Sequence, residues 1–177
     1  MFDDEETENR RNNLTDMPLY QKATEISELV KDIVSLIDDK DEKLGDIKHD
    51  ILLNAYLICA KIVNAEGGDL YDIRMENATI IRKAAHELKI SIHSLRMFGF
   101  AYVEYYQMVR DRIEEFRILF IEWVESFNPD NYIIDTWGLF NPYGVSLTNE
   151  DKIIRYDDPD KKNDWLNDLM IDEEDDD

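Results

Sequence analysis

The sequence predicts an all-α chain: an antiparallel up-down-up-down four-helix bundle followed by an irregular aromatic and acidic C-terminal extension. Three observations predict it. Prolines stand only at 18, 129, 142 and 159, so the span from Pro18 to Pro129 lacks the residue that breaks helices. Glycines in that span fall at 45, 67, 68 and 99 and divide it into four segments of helical length. Each segment carries apolar residues at steps of three and four, the spacing of one helix face.

The first segment, MPLYQKATEISELVKDIVSLI, aligns Leu19, Tyr20, Ala23, Ile26, Val30, Ile33, Val34 and Ile37. Asp16 is the expected N-cap, and Pro18 suits the first turn. DDKDEKLG is read as the break that follows. The second segment, DIKHDILLNAYLICAKIVNAE, aligns Ile47, Ile51, Ala55, Cys59 or Ile58, and Ile62, and GGD supplies a turn and a cap. The third, LYDIRMENATIIRKAAHELKISIHSLRMF, aligns Ile73, Ala78, Ile81, Ala85, Leu88, Ile92 and Leu95 before Gly99. The fourth, AYVEYYQMVRDRIEEFRILFIEWVESF, aligns Val103, Tyr106, Val109, Ile113, Phe116, Phe120, Trp123 and Phe127. Helices of about twenty residues are about 30 Å long, and short loops make consecutive helices antiparallel neighbours. The domain reading is an acidic, disordered arm over 1–16, the bundle over 17–128, and an aromatic strap with an acidic tail over 129–177.

The fourth segment is aromatic almost all round. Tyr102, Tyr105, Tyr106, Phe116, Phe120, Trp123 and Phe127 are more than one core readily buries, so part of that face, with Tyr102, Tyr106, Phe120 and Trp123, is expected to meet another copy of the chain or the C-terminal segment. The extension WGLFNPYGVSL, with two glycines and Pro142, fits neither regular helix nor central strand. Trp137 and Phe140 in it are expected to pack on the aromatic face of the fourth helix, in the same or an adjacent subunit. The alternative is an aromatic-anchored docking peptide. In DWLNDLM, residues Trp165, Leu166, Leu169 and Met170 fall on one side of a short helix, ahead of solvated acids.

Charge and cysteine usage bound the function. The net charge is -21, with -4 over residues 1–17, -6 over 18–128 and -11 over 129–177. The averaged field of such a chain repels nucleic acid, so nucleic-acid binding needs a local basic surface. No apolar run is long enough to span a membrane, and the polar, acidic N-terminus reads as no signal peptide. One cysteine, Cys59, excludes an internal disulfide framework and fits a reducing, cytoplasmic setting. No cofactor or metal is expected. Bundle di-metal sites need Glu-x-x-His pairs on two helices, whereas here only Asp46 precedes a histidine, His49, at that spacing. RKAAH leaves three residues between Arg82 and His86, short of the four to six that a helical RNase uses. The chain therefore reads as no enzyme.

One polar pattern stands out. Arg82, His86, Lys89, His93 and Arg96 are spaced 4, 3, 4 and 3, which places them within an arc of about 80° on the third helix. Three fixed positive charges and two histidines form a basic stripe, suited to tracking phosphates or docking an acidic partner. The bland reading is a solvated face that pairs with carboxylates of a neighbouring helix.

The runs LYQKATEISELV, KLGDIKHDILLNAYLICAKIVNAEGGD and RKAAHELKISIHSLRMFGFAYVEYYQMVRDRIEEFRILFIEWVES resemble a four-helix-bundle family. That family includes the ribosomal-RNA intervening-sequence proteins and the accessory variability determinants of diversity-generating retroelements. The resemblance covers about residues 18–128. It rests on KLGD at 43–46, IVNAEGG at 62–68, SLRMFGFAYVEYY at 94–106 and Trp123 in the closing IEWVES. It implies a non-catalytic homopentamer that binds a reverse transcriptase and its template RNA, with Arg82, Lys89 and Arg96 nearest to an RNA-binding role. The competing reading is an acidic protein-interaction scaffold, acting through its tail or by nucleic-acid mimicry, with no nucleic acid bound.

Overall fold

A computed structural model describes residues 13–38 and 40–148. The acidic arm of 1–12 and the tail of 149–177, with its Trp165 patch, lie outside the described residues. All regular structure among the described residues is helical: α1 (Pro18–Val34), α2 (Glu42–Glu66), α3 (Tyr71–Met97), a 3-10 turn (Val103–Tyr105) and α4 (Tyr106–Glu125). The chain divides into two units, residues 1–144 and 145–177, so the segment after α4 belongs with the helices as far as Gly144.

Local chemistry sets the helix ends. Pro18 opens α1 as expected, but the cap residue is Met17 and no side chain caps it. Residues 13–15 are already helical and Met17 N donates to Leu14 O, so Asp16 sits inside a turn rather than in the extended conformation a cap needs. Helix α2 begins four residues before the expected Asp46, because Asp41 Oδ1 accepts from Leu44 N at 3.0 Å and caps it. Gly45 is then carried inside the first turn. Helix α3 stops at a left-handed glycine, Gly99 at φ 78°. Phe100 N donates to Leu95 O at 2.9 Å and Gly99 N to Arg96 O at 3.2 Å, the paired closure of a Schellman end.

Helix α1 packs on α2 and α4, and α3 packs on the same two helices. The enclosed core takes Ile26 and Val30 from α1, Ile51, Ile58 and Ile62 from α2, Ile81, Leu88, Ile92 and Leu95 from α3, and Tyr106, Val109 and Phe116 from α4. Ile58 rather than Cys59 is the fully buried member of its pair. Ile73, expected in the core, stays half-exposed in the first turn of α3, where it lines a cleft with Trp137, Leu139 and Phe140. Aromatic rings run in contact along and just past α4: Phe116 stacks on Phe120 at 5.9 Å, Phe120 is tilted against Trp123 at 5.8 Å, and Trp123 meets Phe127 edge-on at 4.7 Å.

Arg74 joins three helix ends. Its guanidinium lies 4.3 Å from the Phe127 ring centroid and 5.8 Å from that of Trp123. It donates to Glu66 at 2.6 Å and Asp69 at 3.2 Å, while Trp123 Nε1 donates to the same Glu66 Oε1 at 2.8 Å. Between α1 and α4, Lys22 and Arg112 alternate with Glu25 and Glu115 in a surface network of ion pairs at 2.5–2.8 Å.

Helix α2 is apolar on two sides. Residues 51–60, ILLNAYLICA, carry no charge. Ile51, Ala55, Ile58 and Ile62 face the core, while Leu53, Tyr56, Ala60 and Val63, at steps of 3, 4 and 3, are exposed on the opposite side. A helix that is apolar all round is ordinarily covered all round.

Candidate functional site

The residues of the basic stripe border two different clefts. Arg82, His86 and Lys89 line a groove between α3 and α4. The opposite wall is Glu114 and Arg117 of α4, and the floor is Ala85, Ile113, Phe116 and Phe120. His93 instead lines a cleft toward α2, with Asp50, Asn54, Lys83 and Glu87. Arg96 pairs loosely with Glu104 at 3.9 Å, and both are exposed.

Within the groove, charge is partly compensated. Glu114 Oε1 accepts from Lys89 Nζ, and Glu114 Oε2 accepts from Arg117 Nε at 3.0 Å. These two cations, Lys89 foremost, hold the Glu114 carboxyl below the ordinary glutamate range. Arg82 and His86 have no ion-pair partner among the described residues. The groove thus sums to two positive charges from Arg82, Lys89, Arg117 and Glu114, over an apolar floor. It suits an anionic group joined to an apolar or aromatic one. Sequence reasoning missed Glu114, Arg117 and the floor, because they enter only once the register of α4 against α3 is known.

The aromatic residues expected at an interface separate into three kinds. Tyr106 and Trp123 lie in the chain's own core. The Tyr106 hydroxyl donates to Leu88 O at 3.1 Å, and burial drives its phenol pKa far above the usual tyrosine range. Phe120 is half-buried in the ring stack. Tyr102 is exposed and stacks on Tyr105 at 6.1 Å. Cys59 is half-buried, and burial raises its thiol pKa, which favours the unreactive thiol.

Within its own chain, the segment after α4 is anchored away from the aromatic face of the fourth helix. Its anchoring hydrogen bonds go to the start of α3. Tyr71 N donates to Asn131 O at 2.7 Å, Asn131 Nδ2 donates to Asp69 O at 2.7 Å, and Ile133 N donates to Asp72 Oδ1 at 2.9 Å. Residues 135–141 then close on themselves. The Asp135 carboxylate accepts from Trp137 N at 2.9 Å, Leu139 N at 2.8 Å and Phe140 N at 2.9 Å. Asp135 N donates to Asn141 Oδ1 at 2.9 Å, and Asn141 Nδ2 returns a bond to Asp135 O at 3.0 Å. Gly138 at φ 72° allows the tight turn. The three backbone donors, Phe140 first, hold the Asp135 carboxyl below the usual aspartate range. Polar bonds build this loop and apolar side chains decorate it: Trp137 is 83% exposed, Leu139 72%, and Tyr143 fully. Trp137 is therefore displayed rather than packed, while Phe140 is half-buried.

No group of three or more His, Cys, Asp or Glu with metal-binding geometry occurs among the described residues. No described helix is long and apolar enough to cross a membrane. Comparison with protein-family models, curated proteins and solved structures finds no match to this chain.

Proposed function

We propose that this chain is a non-catalytic accessory scaffold: an antiparallel four-helix bundle that self-assembles in a reducing, cytoplasmic setting and holds a partner. The observation that carries the reading is the outer face of α2, where Leu53, Tyr56 and Ala60 stand exposed within the charge-free stretch 51–60 and Val63 continues the same face one turn on. An uncharged helix face this wide stabilises the protein only when covered. By the resemblance of its helices, the assembly is a pentamer and the partner a reverse transcriptase with its template RNA, in a diversity-generating retroelement. Arg82, Lys89 and Arg96, with His86 and His93 beside them, are then the RNA-contacting set. Native mass spectrometry of protein purified gently from its own cells tests this. A pentamer carrying RNA or a reverse transcriptase is expected, and a bare monomer would count against the reading.

A second reading, an acidic protein-interaction scaffold without nucleic acid, is favoured by a specific observation. Glu114 already occupies Lys89 and Arg117, and Glu104 pairs with Arg96, within a chain of net charge -21. RNA affinity separates the two readings. Phosphate contacts give a logarithmic salt slope of about -0.7 per phosphate on single strands. A preparation that captures a basic protein while showing no salt-dependent RNA binding would favour the second.

A further inference from the structure

Two surfaces of this chain have matching chemistry. The first is the 135–141 loop, pre-shaped by the Asp135 clamp, which exposes Trp137 and Leu139. Its setting is acidic: Glu76 lines the cleft beside it, and no Lys or Arg occurs between Arg117 and Lys152. The second is the α3–α4 groove, which has an apolar floor and a basic rim in an otherwise acidic molecule. We propose that the loop of one copy seats in the α3–α4 groove of a second copy, with Trp137 and Leu139 on the floor and the flanking carboxylates against Arg82, Lys89 and Arg117. This rests on the self-assembling reading above and adds a second contact between copies to the one that covers the outer face of α2.

The contact runs between copies for a geometric reason. Residues 131 and 133 are pinned to Asp69, Tyr71 and Asp72 at the start of α3. Glu76, beside the loop, and Arg82, on the groove, point about 120° apart around α3 at 100° per residue. A copy therefore presents its loop in one direction and its groove in another. Such a contact is head-to-tail, and each copy both gives a loop and receives one. Repetition closes into a ring where the rotation between copies divides a full turn. Trp137 suits the anchor role, since a rigid aromatic with little entropy left to lose contributes more to an interface than its neighbours.

Sedimentation velocity and native mass spectrometry of two full-length variants and their mixture test the contact. Trp137→Ser removes the anchor but leaves the groove. Arg82→Glu with Arg117→Glu spoils the groove but leaves the loop. All three side chains are exposed, so unchanged circular dichroism is expected for both variants, with Tm unchanged in Trp137→Ser and a few degrees lower in the groove variant, which loses the Arg117–Glu114 pair. Each variant alone should self-associate at least ~10-fold more weakly than the natural chain. A 1:1 mixture should form a heterodimer through the one intact loop and the one intact groove. Unchanged assembly of Trp137→Ser would overturn the loop as anchor while leaving the scaffold reading standing. Loss of assembly in Trp137→Ser but not in the groove variant would overturn the groove as receptor. A natural chain that stays monomeric to about 100 µM, the weak end of specific association, would overturn both.

Discussion

Asp135 organises a loop with one carboxylate, and its titration gives a pH dependence of known sign. Its pKa is lower in the folded chain than in the unfolded one, because Phe140, Trp137 and Leu139 N–H groups bond the ionised form. The stabilisation is therefore present above the ordinary aspartate pKa and lost as pH falls through the lower, folded value. Below about pH 4 the loop is expected to loosen. Asp135→Ala should loosen it at neutral pH, read as a rise in amide exchange at Trp137, Leu139 and Phe140 with α3 unchanged. Unaltered exchange at those three amides would mean the clamp is incidental. Tyr106 gives the opposite sign. Its buried phenol resists ionisation, so the unfolded chain releases a proton that the folded chain keeps, and stability falls as pH rises above about 10. Tyr106→Phe should flatten that alkaline loss and cost about 0.5–1.5 kcal/mol at neutral pH through the missing bond to Leu88 O. An alkaline unfolding curve of unchanged steepness would point to other groups.

At the scale of elements, the join made by Arg74 is the one most open to measurement. Replacing it by Met keeps bulk against Phe127 and Trp123 but removes the charge that Glu66 and Asp69 face. A loss of about 1–3 kcal/mol is expected, seen as a lower Tm. Retained Tm would show that ring packing alone holds the three helix ends. Helix α2 invites the reverse experiment. Tyr56→Lys with Val63→Lys touches an exposed face, so the monomer should keep its stability within about 0.5 kcal/mol while self-association weakens. A collapse of Tm would mean that this face is part of the fold.

The elements were legible in the sequence to different depths. The stripes of α1 and α4 repeat every three or four residues, and their core members were readable from spacing alone. The start of α2 was not, because DDKDEK reads as a break until Asp41 is seen to cap it. The direction of the segment after α4 was also hidden. Its aromatic content argued for packing on rings, whereas Asp72, Asn131 and Asp135 fix its backbone through polar bonds. The basic stripe was visible, but the groove was not, since half of its wall comes from another helix.

Across the whole molecule, a net charge of -21 should make stability depend on ionic strength. Going from about 0.01 M to 0.15 M salt shortens the screening length from about 30 Å to about 8 Å and relieves self-repulsion. Tm should rise by about 2–4 °C for each kcal/mol of repulsion relieved. A falling Tm would show instead that the Lys22, Arg112, Glu25 and Glu115 network outweighs the global term, although exposed pairs contribute only about 0.2–1 kcal/mol each.

The self-closed loop also separates two kinds of inheritance. Its frame depends on the side chains of Asp135 and Asn141, which bond the main chain of the loop, and on the left-handed turn at Gly138. The side chains at its tips, Trp137 and Leu139, stand outside that frame, since they project into solvent and only their backbone N–H groups bond Asp135. A descendant chain is therefore free to exchange the tips one at a time without refolding the handle. Specificity for a new mate can drift here while the helices beneath stay as they are.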